Sequence, residues 1–272
     1  MIIGAHITRE TTIIKTMDQI KINGGNALQL FTTNPRSLTI TNNDKYLHES
    51  HLIKKYCKIN KFSIIVHSPY AFNIAKPFIN GKKEIEIKDT LVFNDLMTAN
   101  IIGAVGYIIH VGKSTTGTIQ ESLLMMKNNI KNIINEMINH NIKTMLLLET
   151  PAGQGTELLK DFKDFLNFYY SFTEEERELF KLCIDTCHIW NAGYELNEIS
   201  SLIPNKNDII CIHLNNSKNI KGANVDRHEY LFEGKINPSL LKEFANNFDK
   251  SIIILEKPSD EYNKEINYIL NI

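Results

Sequence analysis

The chain reads as a (β/α)8 TIM-type barrel, one α/β domain spanning residues 1–272. Two observations predict it. Eight short apolar runs recur at fairly regular spacing, with helix-patterned segments between them. Six of these runs end on a His, Asp or Glu, so residues of metal-binding type recur at the same end of successive strands. Strand and helix alternating over about 250 residues is the pattern of such a barrel, whose active sites lie at the C-terminal ends of its strands.

The expected strands, in order, are Ile2–His6, Ala27–Phe31, Ser63–His67, Tyr107–His110, Thr144–Glu149, Lys181–Asp185, Ile209–Leu214 and Ile252–Glu256. Each is a short apolar run bounded by polar residues, as a buried strand is. Ser122–His140 is the clearest helix, with Leu123, Met126, Ile130, Ile133, Ile134, Met137 and Ile138 at helical spacing. Glu157–Tyr170 and Pro238–Phe248 read similarly. The Met and Leu stripes on these helices are expected to pack onto the barrel, not to hold a cofactor. No low-complexity linker divides the chain.

Composition excludes several classes. A net charge of −1 and a pI of about 6.8 are not those of a protein that coats nucleic acid. A local groove is still compatible, and bound divalent cations would add positive charge that the count omits. No apolar stretch approaches ~18 residues, so no membrane span is expected. The start, MIIGAHITRE, lacks the basic region and long apolar stretch of a signal peptide, which makes an intracellular location the expectation. Cys183, Cys187 and Cys211 lie in apolar runs and read as reduced, buried thiols, as against the half-polar setting of Cys57. Cys183 and Cys187 lack the second Cys pair that would complete a structural zinc site. HVGKST at 110–115 is not a phosphate-binding loop: five residues separate Gly106 from Gly112 where the motif has four, so no nucleotide cofactor is expected.

The chemistry lies in the strand ends. His67 closes IIVH, His110 closes YIIH, Glu149 closes MLLLE, and Asp185 and His188 share CIDTCH. His213 lies in IICIHLNNSK and Glu256 closes IIILE, while Asp226 and His228 lie in the loop DRHEYLFEG. A lone strand-end His is usually a hydrogen-bonded structural residue; the joint pattern reverses that reading. A mixed His/Asp/Glu set suits zinc or manganese and not calcium. Nine such residues exceed what one four-coordinate ion can use. Two or three ions held by bridging carboxylates is the natural solution, and such clusters serve phosphoester chemistry.

HSPY at 67–70, ETPAGQGTEL at 149–158, CIDTCH at 183–188, HLNNSK at 213–218, DRHEYLFEG at 226–234 and LE at 255–256 together resemble the endonuclease IV family of apurinic/apyrimidinic endonucleases, and GAH at 4–6 and LFTTNPR at 30–36 fit as well. The resemblance covers nearly the whole chain in order. It implies three zinc ions per chain, with manganese as the alternative at one or more sites. His67, His110 and Glu149 would hold the first ion. Glu149 would bridge to a second, also bound by Asp185, His213 and Glu256. His188, Asp226 and His228 would hold the third. Glu149 and Glu256 are the implied catalytic carboxylates, and Arg36 and Tyr70 match loop positions that contact DNA. The implied reaction is hydrolysis of the phosphodiester 5′ to an abasic site in double-stranded DNA, giving a 3′-hydroxyl and a 5′-deoxyribose phosphate, together with cleaning of blocked 3′ ends. The implied state is a monomer. Four departures carry expectations. Ala71, which follows Tyr70 where a larger apolar wedge is common, should weaken the intercalating contact. Asn216, where relatives have Asp, should alter contacts around the ligands. Val111, where Pro is common, should loosen the turn after the fourth strand. Phe232, four residues past His228, should narrow access to the third ion.

Two rivals are a metal-dependent sugar isomerase or epimerase of the same barrel type, which would hold fewer ions, and a non-catalytic DNA-damage-binding protein, against which the full ligand set argues.

Overall fold

The structure, a computed structural model, describes residues 1–40, 42–80, 82–257 and 262–271. The first half runs β1 (Ile2–His6), α1 (Ile13–Ile22), β2 (Ala27–Leu30), α2 (Asp44–Asn60) and β3 (Ser63–His67). A small hairpin of β4 (Ile79–Asn80) and β5 (Lys83–Glu84) follows, then α3 (Leu91–Ile102), β6 (Gly106–His110), α4 (Ile119–Asn139) and β7 (Met145–Glu149). The second half runs α5 (Phe162–Tyr170), α6 (Glu174–Leu179), β8 (Phe180–Asp185), α7 (Thr186–Ala192), α8 (Leu196–Leu202) and β9 (Ile209–His213). It ends with β10 (Asn216–Ser217), β11 (His228–Glu229), α9 (Pro238–Asn247), β12 (Ile252–Leu255) and α10 (Tyr262–Leu270).

Eight strands close into a parallel barrel in the order β1-β2-β3-β6-β7-β8-β9-β12, with β12 paired back to β1. All eight expected strands are present, with ends within a residue or so of those expected. They are legible as continuous apolar runs because parallel strands are buried on both faces. Alternation sorts the two faces. Ile64, Val66, Tyr107, Ile109, Leu146, Leu148, Leu182 and Ile184 pack outward against the helices. Ala27, Ile65, Ile108, Leu147, Cys183, Cys211, Ile252 and Ile254 fill the barrel itself. On β1 the strands approach so closely that a Cβ on Gly4 would stand 1.6 Å from the Ala27 carbonyl oxygen.

The helices begin where side chains cap them. α4 starts at Ile119 because Thr118 and Glu121 form a reciprocal capping box. Its inner face is Met126, Ile130, Ile133, Ile134 and Met137. Ile138, expected in that stripe, is exposed, because it follows Met137 by one residue and so points about 100° away. α5 starts at Phe162 and not at Glu157. Asp161 caps it by accepting from the Lys163 and Asp164 amides, and Glu157 instead accepts from the Gln154 amide within the preceding turn. Among the described residues no helix is long and apolar enough to cross a membrane.

Candidate metal centre

Strand alternation builds the site. Two residues after each inward-facing plug residue comes another inward-facing position, now at the C-terminal mouth of the barrel. After Ala27, Ile65, Ile108, Leu147, Cys183, Cys211 and Ile254 these are Gln29, His67, His110, Glu149, Asp185, His213 and Glu256. β1 adds His6 by the same parity. Every barrel strand thus carries an inward polar residue at or next to its C-terminal end.

Among the described residues, three of the sets of donor atoms close enough to hold a cation are built from the expected ligands: His67, His110 and Glu149; Glu149, Asp185, His213 and Glu256; and His188, Asp226 and His228. Two further sets include cysteine: Cys183 and Cys211 with His213, and Cys187 with Asp185 and His228. Glu149 joins the first two of the expected sets. Its Oε2 lies 3.3 Å from His67 Nε2 and 3.0 Å from His110 Nε2, while its Oε1 lies 2.8 Å from His213 Nδ1. Glu256 Oε2 is 3.1 Å from the same His213 nitrogen. Asp185 lies between the second and third sets. Its Oδ1 caps α7 by accepting from the His188 amide, and its Oδ2 is 3.7 Å from His213 Nδ1 and 3.4 Å from His228 Nε2. Asp226 Oδ1 stands 3.4 Å from His188 Nε2 and 3.1 Å from His228 Nε2.

The donor set fits metal ions. Three imidazoles are tethered through the nitrogen that faces away: His67 Nδ1 to the Ser68 carbonyl at 2.7 Å, His188 Nδ1 to the Thr150 carbonyl at 2.7 Å, and His213 Nε2 to the Gln29 amide oxygen at 2.8 Å. Each tether takes the ring N–H and leaves the other nitrogen as a lone pair aimed into the cluster, which is how ligating histidines are held. His188 Nε2 is buried and makes no well-aligned hydrogen bond, with Asp226 Oδ1 3.4 Å away. A buried polar atom in that state calls for a missing partner.

The electrostatics agree. Burial pulls the imidazoles down, and in His67 it prevails despite Glu149. In the other four the facing carboxylates prevail over burial. His110 is raised by Glu149, His188 well above its usual range by Asp185 and Asp226, His213 well above by Glu256 and Glu149, and His228 to about 9 by Asp185. Burial pushes the carboxyls up, and Asp185 stays raised. Imidazole charge outweighs burial at Glu149, Asp226 and Glu256, which lie below the usual carboxylate range. The cluster therefore demands positive charge that only imidazole protons otherwise supply. Divalent cations meet that demand directly.

The sets surround a cavity of about 230 Å³. Tyr70 lines it, 60% exposed, with its ring edge-on to Phe31 at 5.2 Å and 5.8 Å from the His67 ring. Arg36 is exposed on the neighbouring loop, which joins the Tyr70 loop through the Tyr70 amide and the Pro35 carbonyl at 2.9 Å. Arg227, between two ligand candidates, also lines the cavity.

Several contributors carry no titratable group and escaped the sequence reading. Gln29 donates to Glu256 Oε1 at 2.7 Å and to His6 Nδ1 at 2.9 Å while accepting from His213. Asn215 donates to Asp185 Oδ2 at 2.6 Å and to Glu256 Oε2 at 3.0 Å. The one legible signal was an amide inside the otherwise apolar strand ALQL. The DRH loop is carried back over the mouth by a two-residue ribbon, Ser217 opposite His228. Asn216 holds that ribbon from beneath. It donates to the Leu231 and Ile236 carbonyls and accepts from the Ile236 amide, and Gly234 packs so tightly on it that a Cβ would stand 2.2 Å from the Asn216 side chain. Its effect is thus on the loop, not on ligand contacts directly.

Two expectations are corrected. Phe232 does not face the third set; its ring lies 5.2 Å from Tyr268 on α10 and is absent from the cavity wall, because the chain turns outward after Glu229. The turn after β6 is not loose despite Val111. The Gly112 amide donates to Met126 Sδ, Lys113 to Asn73 Oδ1 and Ser114 to the Thr156 carbonyl.

A family model described as a xylose isomerase-like TIM barrel matches residues 17–272. A protein of Metamycoplasma arthritidis named "Probable endonuclease 4" is 32% identical over 261 residues, covering 91% of this chain and 90% of that protein. Among solved structures, endonuclease IV from Thermus thermophilus superposes with a TM-score of 0.77 at 20% identity, covering 100% of this chain and 99% of that one. A D-tagatose 3-epimerase-like protein superposes with a TM-score of 0.72 at 16% identity, covering 100% and 96%.

Proposed function

The chain belongs to the endonuclease IV family, and we propose that it hydrolyses the DNA phosphodiester on the 5′ side of an abasic site at a trinuclear zinc centre. The observation that carries the reading is Glu149, whose two oxygens face different donor sets. A third set shares the same cavity.

Bound cations would supply a hydroxide nucleophile near neutral pH and stabilise charge on the phosphorus and on the departing 3′ oxygen. The chain's own residues set the geometry. Glu149 joins the first and second sets, and Glu256 meets it at His213 Nδ1. Asn215 and Gln29 lock the orientation of Asp185 and Glu256, so the donors need no rearrangement during reaction, which is the condition for strong electrostatic catalysis. Tyr70 and Arg36, on two tied loops at the rim, would position a deformed duplex, and Arg227 offers a guanidinium to a phosphate at the wall. The cavity is smaller than most drug-sized pockets, roughly 300 Å³ upward, and suits a base-less sugar phosphate. A missing base also lowers the cost of extruding the nucleotide. Blocked 3′ ends present the same phosphodiester to the same site.

The test is incubation with a duplex carrying a single abasic-site analogue. Incision should leave a 3′-hydroxyl, vanish with chelator and return with zinc. Metal-loaded protein that leaves the duplex intact refutes the reading. Elemental analysis separates the sugar isomerase alternative: three ions per chain support the nuclease, one supports the isomerase.

A further inference from the structure

Beneath the cluster, inside the barrel, lie two thiols that the proposed reaction does not use. Cys183 on β8 and Cys211 on β9 are register partners, and both face the interior. Their sulfurs and a ring nitrogen of His213 lie within 4.8 Å of one another. Both thiols are free and fully buried. A tetrahedral ion with sulfur bonds of about 2.3 Å sets two sulfurs about 3.8 Å apart, so a small side-chain adjustment closes the set.

We propose that Cys183 and Cys211, with His213 taken from the second donor set, form an alternative site for a thiophilic divalent cation, below the phosphodiester centre. The surroundings favour that charge and that softness. Ile65, Ile108, Leu147 and Ile254 share the barrel interior with both cysteines, and the nearest carboxylates, Glu149 and Glu256, belong to the centre above. A dication replacing the two thiol protons makes a neutral group with a neutral imidazole, M²⁺ + 2 RSH giving M(SR)₂ + 2 H⁺, and a neutral group avoids the desolvation cost of a buried ion. Thiolate donors select soft ions over the harder ones that carboxylates suit. His213 also belongs to the second donor set above. One nitrogen cannot serve both positions, and ligation through both nitrogens would need loss of the last ring proton. An ion in the sulfur site therefore withdraws His213 from the upper centre. That consequence rests on the proposed role of His213; the sulfur site itself does not.

The test is cadmium titration of the zinc-loaded protein in a Cys57→Ala background, read by the ultraviolet thiolate-to-cadmium band and by cadmium-113 NMR. One sulfur-bound cadmium per chain should form, with release of one zinc, and should persist in Cys187→Ala. The band should disappear in Cys183→Ala and in Cys211→Ala, with circular dichroism checking that each is folded. If either variant fails to fold, the cadmium-113 shift of the unsubstituted pair decides between sulfur and nitrogen–oxygen ligation. Absence of sulfur-bound cadmium, its survival without Cys183 or Cys211, or its loss with Cys187 alone overturns the proposal.

Discussion

Replacing Glu149 by Gln tests the bridging carboxylate most directly. The side chain keeps its shape and its buried position. What changes is the donor count. Glu149 presents Oε2 to His67 and His110, at 3.3 and 3.0 Å, and Oε1 to His213 at 2.8 Å. An amide offers one oxygen and one NH₂, and the NH₂ has no lone pair to give a cation. One of the two sets therefore loses its shared donor whichever way the amide is turned. Removing a single preorganised electrostatic partner costs about 10²–10³ in rate, roughly 2.7–4 kcal/mol. Glu149 serves two sets, so ~10² is the lower bound. Single-turnover incision of an abasic duplex at saturating enzyme reads the chemical step, and elemental analysis of the same sample reads the ions. The expected result is a rate lowered at least ~10²-fold together with reduced metal content. A rate within a few-fold of the parent, at full metal content, removes Glu149 from the mechanism.

His228→Ala should remove about one ion per chain and lower activity strongly, with the barrel still folded, since the residue lies on a ribbon above the packed strands; unchanged metal content would make the site dinuclear. Arg36→Ala and Tyr70→Ala should weaken binding of abasic DNA, measured by equilibrium titration, and leave metal content intact, because both lie at the rim; loss of metal in either would place these loops in the cluster. Asp95, buried and hydrogen-bonded to the Thr32 and Thr33 hydroxyls, is pushed up to about 6 by burial. A raised folded pKa means its contribution is most favourable below the unfolded value and declines as pH rises through 6. Asp95→Asn should therefore match the parent near pH 4 and gain on it up to pH 8, by at most about 3 kcal/mol at about 1.36 kcal/mol per unit; parallel stability curves in pH-dependent thermal denaturation would refute this.

The barrel was legible because its strands are covered on both faces, so burial writes itself as unbroken apolar runs ending where the interior opens to the mouth. Metal-type residues at those ends were legible for the same reason: a His or carboxylate closing IIVH or MLLLE interrupts an apolar run at a set place. What the sequence hid was orientation. Helix starts were missed where a cap decided them, as at Thr118 and Asp161. Gln29 and Asn215 were missed because an amide gives no titratable signal and its role depends on what stands across the barrel from it. Phe232 was misjudged because four residues of separation from His228 fix a distance along the chain and not a direction.

Charge gives an independent argument for three ions over two. The nine candidate ligands comprise five histidines and four carboxylates, namely Glu149, Asp185, Asp226 and Glu256. Ligating histidines are neutral, so the set carries four negative charges. Two dications cancel that charge and leave the attraction of a phosphodiester to Arg227 at the wall. Three leave a surplus of two positive charges at the floor of the cavity, which matches the charge of one phosphodiester and one attacking hydroxide. Tyr70 and the loop of Arg36 rise above that floor and bring no carboxylate to oppose it. A chain with a net charge of −1 can in this way present a positive pocket to DNA, with the attraction concentrated where the bond is to be cut.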